Sequence, residues 1–279
     1  MKKILVPLDG SPLADGILPH VERLLALEPA EVTLLHVLPP PEPEDVPGEV
    51  AALRRLSEAH LDTVRLRLEQ KGATVQVVVR QGDPAAEIVF AQDERAPELV
   101  AMSSHGRTGV LRWLRGSVAE RVLRAGRAPL LLVTARGVGE KVEARFRRVL
   151  VPLDGTEGSA AVLPLVTQLA RLHGAEVILL RVEGAMLIPR ALVLSPEELA
   201  ASMREHVDGL KAAGVSVRAQ VAHGDPASEV LDLADREDVD LIAMVTNART
   251  GAARLLEGSV SEKVLRACRR PLLIMRAPA

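Results

Sequence analysis

The chain has a single cysteine, Cys268, so no disulfide can form within it. It also has no surplus of positive charge: 35 lysines and arginines stand against 37 acids, a net charge of -2. A field able to hold nucleic acid or an anionic membrane by charge alone is therefore missing. No apolar run approaches the roughly 18 residues that suggest a membrane span. The opening MKKILVPLDG offers five uncharged residues between Lys3 and Asp9, too few for the apolar stretch of a secretion signal. These absences lead us to expect a cytoplasmic protein without nucleic-acid or membrane partners. The G-x4-G-K-[ST] loop of P-loop nucleotide hydrolases and the G-x-S-x-G elbow of esterases are absent too. The seven histidines fall in no zinc-ligand spacing. The only tryptophan, Trp113 in VLRWLRG, is read as packing a loop or a domain contact rather than stacking a base. Cys268 lies among Arg266, Arg269 and Arg270, which would lower a thiol pKa, yet an inert buried thiol is the commoner outcome.

What the chain does contain is a duplication. ILVPLDGS at 4–11 returns as VLVPLDGT at 149–156, GDPAAEIV at 82–89 as GDPASEVL at 224–231, and GSVAERVLRA at 116–125 as GSVSEKVLRA at 258–267. The offset is 145 residues for the first block and 142 for the others, so the second copy is three residues shorter between its second strand and its GDP turn. So long a period means tandem domains rather than a solenoid, and 279 residues suit two domains of ordinary size. The charged segment 134–147 separates the copies. We expect a first domain over 1–136, a linker over 137–145 and a second domain over 146–279.

Each copy alternates short β-branched runs with longer helical patterns, the mark of parallel strands joined by crossover helices. Strands are expected at 3–8, 31–37, 74–80, 99–102 and 129–133, and helices at 13–27, 49–71, 84–95 and 116–125. The matching helices of the second copy fall at 158–172, 196–213, 226–236 and 258–267, with Ser195 and Pro196 as the cap of one of them. Runs such as LLLV suggest strands covered on both faces. The proline-rich, acidic stretch 39–48 reads as a stiff surface loop.

Two segments could carry chemistry. Pro7, Leu8, Asp9, Gly10 and Ser11 end the first strand, where a carboxylate can take ribose hydroxyls or help hold Mg²⁺, or simply form an Asx turn that caps a helix. Met102, Ser103, Ser104, His105 and Gly106 end the fourth strand, and Gly116-Ser117 opens the following helix. Glycines admit close backbone approach, and free amides at a helix start favour phosphate. Arg107 and Thr108 add a cation and a hydroxyl between them.

With these residues in view the chain resembles a tandem universal stress protein. That family's pattern is G-x2-G-x9-G-[S/T], and residues 103–117 read S-x2-G-x9-G-S, departing only at Ser103. VPLDGS, His36-Val37, the GDP turn and the closing PLLLV also match, so the likeness spans nearly all of each copy. It implies a five-stranded parallel sheet in the order 3-2-1-4-5, doubly wound, in each of two tandem α/β domains. It also implies ATP or a related nucleotide between strands one and four. Asp9 would face ribose, Val37 would offer backbone to adenine, and Gly106, Arg107, Gly116, Ser117, Val118 and Ala119 would surround the phosphates. In the second copy Pro152, Leu153, Asp154, Gly155, Thr156, Val182, Met244, Arg249, Thr250, Gly258, Ser259, Val260 and Ser261 occupy the corresponding places. There Val245 and Ala248 replace the first two glycines, Asn247 replaces His105, and Glu257 replaces Arg115. A β-branched side chain fills space a phosphate would use, so the second site should be the weaker.

Phosphate-cradling elements recur in both copies, whereas no carboxylate or histidine recurs where it would activate water. The expectation is an ATP-binding regulatory protein, its Mg²⁺ dependence open. A slow ATPase or nucleotidyl-transfer enzyme, and an interaction scaffold, are the other readings. Expected partners are the nucleotide and the other half of the chain, docked as a pseudo-dimer through the fifth strands, with further homo-oligomers left open.

Overall fold

The structure is a computed structural model that describes residues 1–40, 47–104, 118–184, 198, 201–246 and 260–277. They fall in two compact units, Met1–Ala144 and Arg145–Ala279. In the first, strands β1 (Lys3–Pro7), β2 (Glu31–Leu38), β3 (Thr74–Gln81), β4 (Leu99–Ser103) and β5 (Leu130–Val133) alternate with helices. These are α1 (Pro12–Asp15), α2 (Leu18–Leu25), α3 (Pro47–Glu69), α4 (Pro84–Arg95) and α5 (Val118–Ala125). Every pairing is parallel: Lys3 aligns with Glu31, Glu31 with Thr74, Ile4 with Leu99 and Val100 with Leu130. The sheet order is β3-β2-β1-β4-β5. Ile4, Leu5 and Val6 in the central strand are at most 1% exposed, as expected for a strand covered on both faces. The order reverses between β1 and β4, which leaves a crevice at their carboxyl ends.

The second unit repeats the design with β6 (Arg148–Leu153), β7 (Glu176–Gly184), β8 (Val217–Gly224), β9 (Leu241–Thr246) and β10 (Leu272–Arg276). Its helices are α6 (Glu157–Ala160), α7 (Leu163–His173), α8 (Arg204–Ala212), α9 (Pro226–Arg236) and α10 (Val260–Ala267). Its sheet order is β8-β7-β6-β9-β10, again all parallel. Right-handed crossovers place α1 to α3 on one face of the first sheet and α4 and α5 on the other, with α6 to α8 opposed to α9 and α10 in the second. The chain is thus two doubly wound α/β modules. No helix among the described residues is long and apolar enough to cross a membrane.

The helices expected at 13–27 and 158–172 are each broken in two. Pro19 and Pro164 have no N–H to donate to Asp15 and Ala160, and those residues end α1 and α6. Each proline then sits in the first turn of α2 or α7, where a missing N–H costs nothing. Beyond β5 the chain runs along the first unit: Val138 sits where a methyl on Gly16 would go, 2.7 Å away, and Glu143 O accepts from Arg23 Nε at 2.5 Å. Phe146 then enters the core of the second unit edge-on to His173, with ring centroids 4.7 Å apart. The Ser195 cap, Trp113 and most of the 39–48 loop lie outside the described residues.

One junction is solved differently in the two units. In the first, buried Gln92 accepts through Oε1 from the N–H groups of Arg127 and Ala128 at 3.1 and 3.2 Å. This works because residue 126 is glycine; a methyl there would lie 2.6 Å from the Gln92 amide. In the second unit Ala234 replaces Gln92 and Cys268 replaces Gly126. The Cys268 thiol takes over, with Sγ accepting from Arg270 N–H at 3.2 Å. Burial pushes its pKa up to about 11 against the opposing charge of Arg270, in keeping with an inert buried thiol.

Candidate functional site

In both units the turn after the first strand is built from Asp, Gly and a hydroxyl. Asp9 Oδ1 accepts from Ser11 N–H at 3.0 Å, and Ser11 Oγ accepts from Ala14 N–H at 3.1 Å, capping α1. Asp154 Oδ1 accepts from both Thr156 N–H and Thr156 Oγ1, at 2.9 and 2.6 Å, and Thr156 caps α6. Gly10 and Gly155 have φ of +79° and +83°, a left-handed backbone that excludes most other residues. The Asx-turn reading is therefore correct for both carboxylates. It does not compete with a ligand role, because both aspartates remain exposed at the strand ends.

The second unit shows a cavity at this place. About 240 Å³ in volume, it is lined by Pro152, Leu153 and Asp154 from the end of β6, Leu180 and Val182 from β7, and Met244, Val245 and Thr246 from β9. Pro226, Val230 and Ser159 wall its sides, and Val260 and Ser261 bring the first turn of α10 to it. Eight residues expected from sequence thus converge: Pro152, Leu153, Asp154, Val182, Met244, Val245, Val260 and Ser261. Gly155 and Thr156 form the adjoining turn. Asn247, Ala248, Arg249, Thr250, Gly258 and Ser259 lie outside the described residues, as do His105, Gly106, Arg107, Thr108, Gly116 and Ser117.

In the first unit the corresponding strand ends carry Pro7, Leu8, Asp9, Val37, Met102 and Ser103, with Val118 and Ala119 opening the described part of α5. Ser103 is buried, and its hydroxyl donates to Ala14 O at 3.4 Å. The second unit exchanges these residues: Val245 stands for Ser103, and Ser159 stands for Ala14. Ser159 Oγ accepts from Asp154 N–H at 3.3 Å and donates to Thr156 O at 2.8 Å, so there the hydroxyl braces the aspartate turn instead.

A second exchange escaped the sequence reading. His36 ends up buried, its Nε2 3.1 Å from Ser57 Oγ on α3, with His60 Nε2 3.1 Å from Asp15 Oδ1 nearby. Burial holds the His36 pKa below 6.5; the Leu8 backbone and Asp9 act in the opposite sense. At an offset of 145 this histidine becomes Arg181, whose guanidinium covers Gly155. Subtracting the offset residue by residue would have found both Arg181 and Ser159.

The helix that opens at each site is tied down by its GDP turn. Asp83 caps α4 through Ala86 N–H at 2.9 Å and holds the Arg121 guanidinium on α5 at 2.6 and 2.7 Å. Asp225 repeats this with Ser228 N–H and with Lys263 on α10, whose ammonium holds the Asp225 carboxyl down at about 2. Among the described residues no three His, Cys, Asp or Glu side chains gather as metal ligands. A magnesium ion at Asp9 or Asp154 would have to take its other ligands from water and from a bound phosphate, a mode that suits Mg²⁺.

The model of the universal stress protein family matches residues 1–134 and again 145–276. The chain belongs to the universal stress protein family. It is a tandem universal stress protein, with one domain in each unit. A universal stress protein of Mycolicibacterium smegmatis is 24% identical, over 98% of this chain and 96% of its own length. The crystal structure of a universal stress protein from Archaeoglobus fulgidus shares the fold, with a TM-score of 0.81 at 22% identity, covering 98% of this chain and 96% of that one. A universal stress protein solved in complex with cAMP is 25% identical and covers 48% of this chain and 99% of its own, with a TM-score of 0.40.

Proposed function

We propose that this universal stress protein is a nucleotide-binding regulatory protein that holds ATP at the crevice between the first and fourth strands of each unit, more tightly in the first. The observation that carries this reading is the 240 Å³ cavity in the second unit, where the ends of three parallel strands and the first turn of a helix surround an exposed aspartate. Such crevices at a reversal of strand order are where open α/β sheets take ligands. Asp9 and Asp154 would accept from ribose, Val37 and Val182 would offer backbone to adenine, and the starts of α5 and α10 would face the phosphates. The second site is weaker because Val245 lines its cavity where the first unit has Ser103, and Ala248 and Glu257 replace Gly106 and Arg115. The two units would form a pseudo-dimer through the apolar fifth strands, whose open edges would otherwise invite aggregation.

Calorimetric titration with ATP tests the assignment. Gly116→Val places a side chain where backbone must approach phosphate and should remove most of the tight binding; Gly258→Val should matter less. Tight binding that survives the first change and disappears with the second reverses the order of the sites, and no ATP binding to either unit ends the reading.

A further inference from the structure

The two units differ in the charge carried beside the aspartate turn that adjoins each crevice, and the difference centres on Arg181. This residue lies on β7 between Leu180 and Val182, both of which line the cavity. Its side chain leaves the strand on the other side and crosses to the turn after β6. There its Cζ lies 2.8 Å from where a methyl on Gly155 would sit, and Nη1 donates to Leu153 O at a long 3.4 Å. That is its one hydrogen bond among the described residues, and Nε is buried with none at all. A guanidinium has five N–H donors, so four find no partner among the described residues, at the turn that carries Asp154. The nearest acid on its own strand, Glu183, is engaged with His223 Nδ1 at 3.3 Å. In the first unit the same place holds His36, whose pKa burial lowers. In sequence the second unit also has Glu257 where the first has Arg115, an acid in place of a cation, and Val245 where the first has Ser103, a hydroxyl lost.

Resting on the nucleotide reading above, we infer that the second site, the weaker one for ATP, prefers an adenine nucleotide phosphorylated on its ribose, at the 2′ or 3′ hydroxyl, over one carrying a 5′-polyphosphate. A carboxylate at the end of a strand suits a free ribose diol, and an arginine beside that position accommodates a ribose phosphate. Arg181 supplies a planar, permanently charged fork suited to two phosphate oxygens. Gly155 leaves room for it: any side chain there would collide with the guanidinium, whereas the equivalent Gly10 has nothing within 4 Å of that position.

The full chain is titrated calorimetrically with adenosine 2′- and 3′-monophosphate, 5′-AMP and ATP. Arg181→His installs the first unit's residue; Arg181→Gln keeps a polar side chain of similar reach but removes the charge. The expected result is one site per chain for a ribose-phosphorylated ligand, weakened tenfold or more by both substitutions, while the tight ATP site is unchanged. Equal affinity for the ribose monophosphates in wild type and both variants overturns the inference, and so does their failure to bind while ATP binds. If ATP itself fails to bind any form of the chain, the nucleotide reading has failed first and this inference falls with it.

Discussion

His20 gives the first unit a dependence on pH that can be calculated. It lies on α2, 5% exposed, with Nδ1 unpartnered, and three residues before the equally buried Arg23. Burial, and then the Arg23 charge, lower its pKa from 6.5 to about 4. Because the folded-state value lies below the unfolded one, the unfolded chain binds the extra proton first as pH falls. The stabilising effect is complete above pH 6.5 and is lost progressively down to about pH 4. Between pH 7 and 5 the loss comes to about 2 kcal/mol, from roughly 1.4 kcal/mol per pH unit across the titrating window. With an m-value of about 2 kcal/mol/M, this moves a urea midpoint by about 1 M. The second unit has Leu165 at the matching position, so His20→Leu is a substitution the fold already accommodates. Urea unfolding followed by circular dichroism at pH 7 and pH 5 should show the variant losing about 2 kcal/mol less than the wild type. A remaining slope in the same direction is expected from His36, whose pKa burial also lowers. If His20→Leu loses as much stability as the wild type, His20 is not held neutral in the folded chain and the reasoning fails.

Three further outcomes are expected. Gly126→Cys alone should destabilise the first unit by about 1–3 kcal/mol through collision with Gln92, and Gln92→Ala by a similar amount through unpaired amides. The double variant recreates the second unit's solution and should lose less than the sum; additive losses in urea unfolding would show that the two positions are not coupled. Native Cys268, its thiol held at about 11, should resist iodoacetamide at pH 8 and react once the chain is unfolded; labelling of the folded protein at the rate of a free thiol contradicts this. Hydrolysis of ATP should run far below the roughly 1 per second at the slow end of kinases, since binding that is equally strong before and during reaction does not accelerate it. Several turnovers per second that collapse in His105→Ala would place the protein among enzymes.

Much of the fold was readable because the duplicated segments carry their own punctuation. GDP marks an aspartate cap with proline at the first helical position in both units, and α4 and α9 begin there. Strand ends were readable to within a residue or two where apolar runs stop at Pro-Leu-Asp-Gly. The broken first helices were missed because their hydrophobic period runs straight through Leu18-Pro19 and Leu163-Pro164, and only the hydrogen-bond count around the proline separates one helix from two. Asp9 and Asp154 were found by motif, whereas Arg181, Ser159 and the Gln92–Gly126 joint were not. Those residues matter only in pairs across elements far apart in sequence, and no local pattern announces a pair.

The exchanged hydroxyl bears on how the two copies could have descended from one gene. Duplicated segments are prone to recombine, and a crossover between the first and fourth strands would join Ala14 to Val245 or Ser159 to Ser103. The first hybrid has neither hydroxyl, whereas each present unit has one, donating to Ala14 O in the first and to Thr156 O in the second. The second has both. The first product lacks a hydrogen bond that each parent has. An exchange of only part of one half for the other is therefore disfavoured, which helps to keep the two copies distinct.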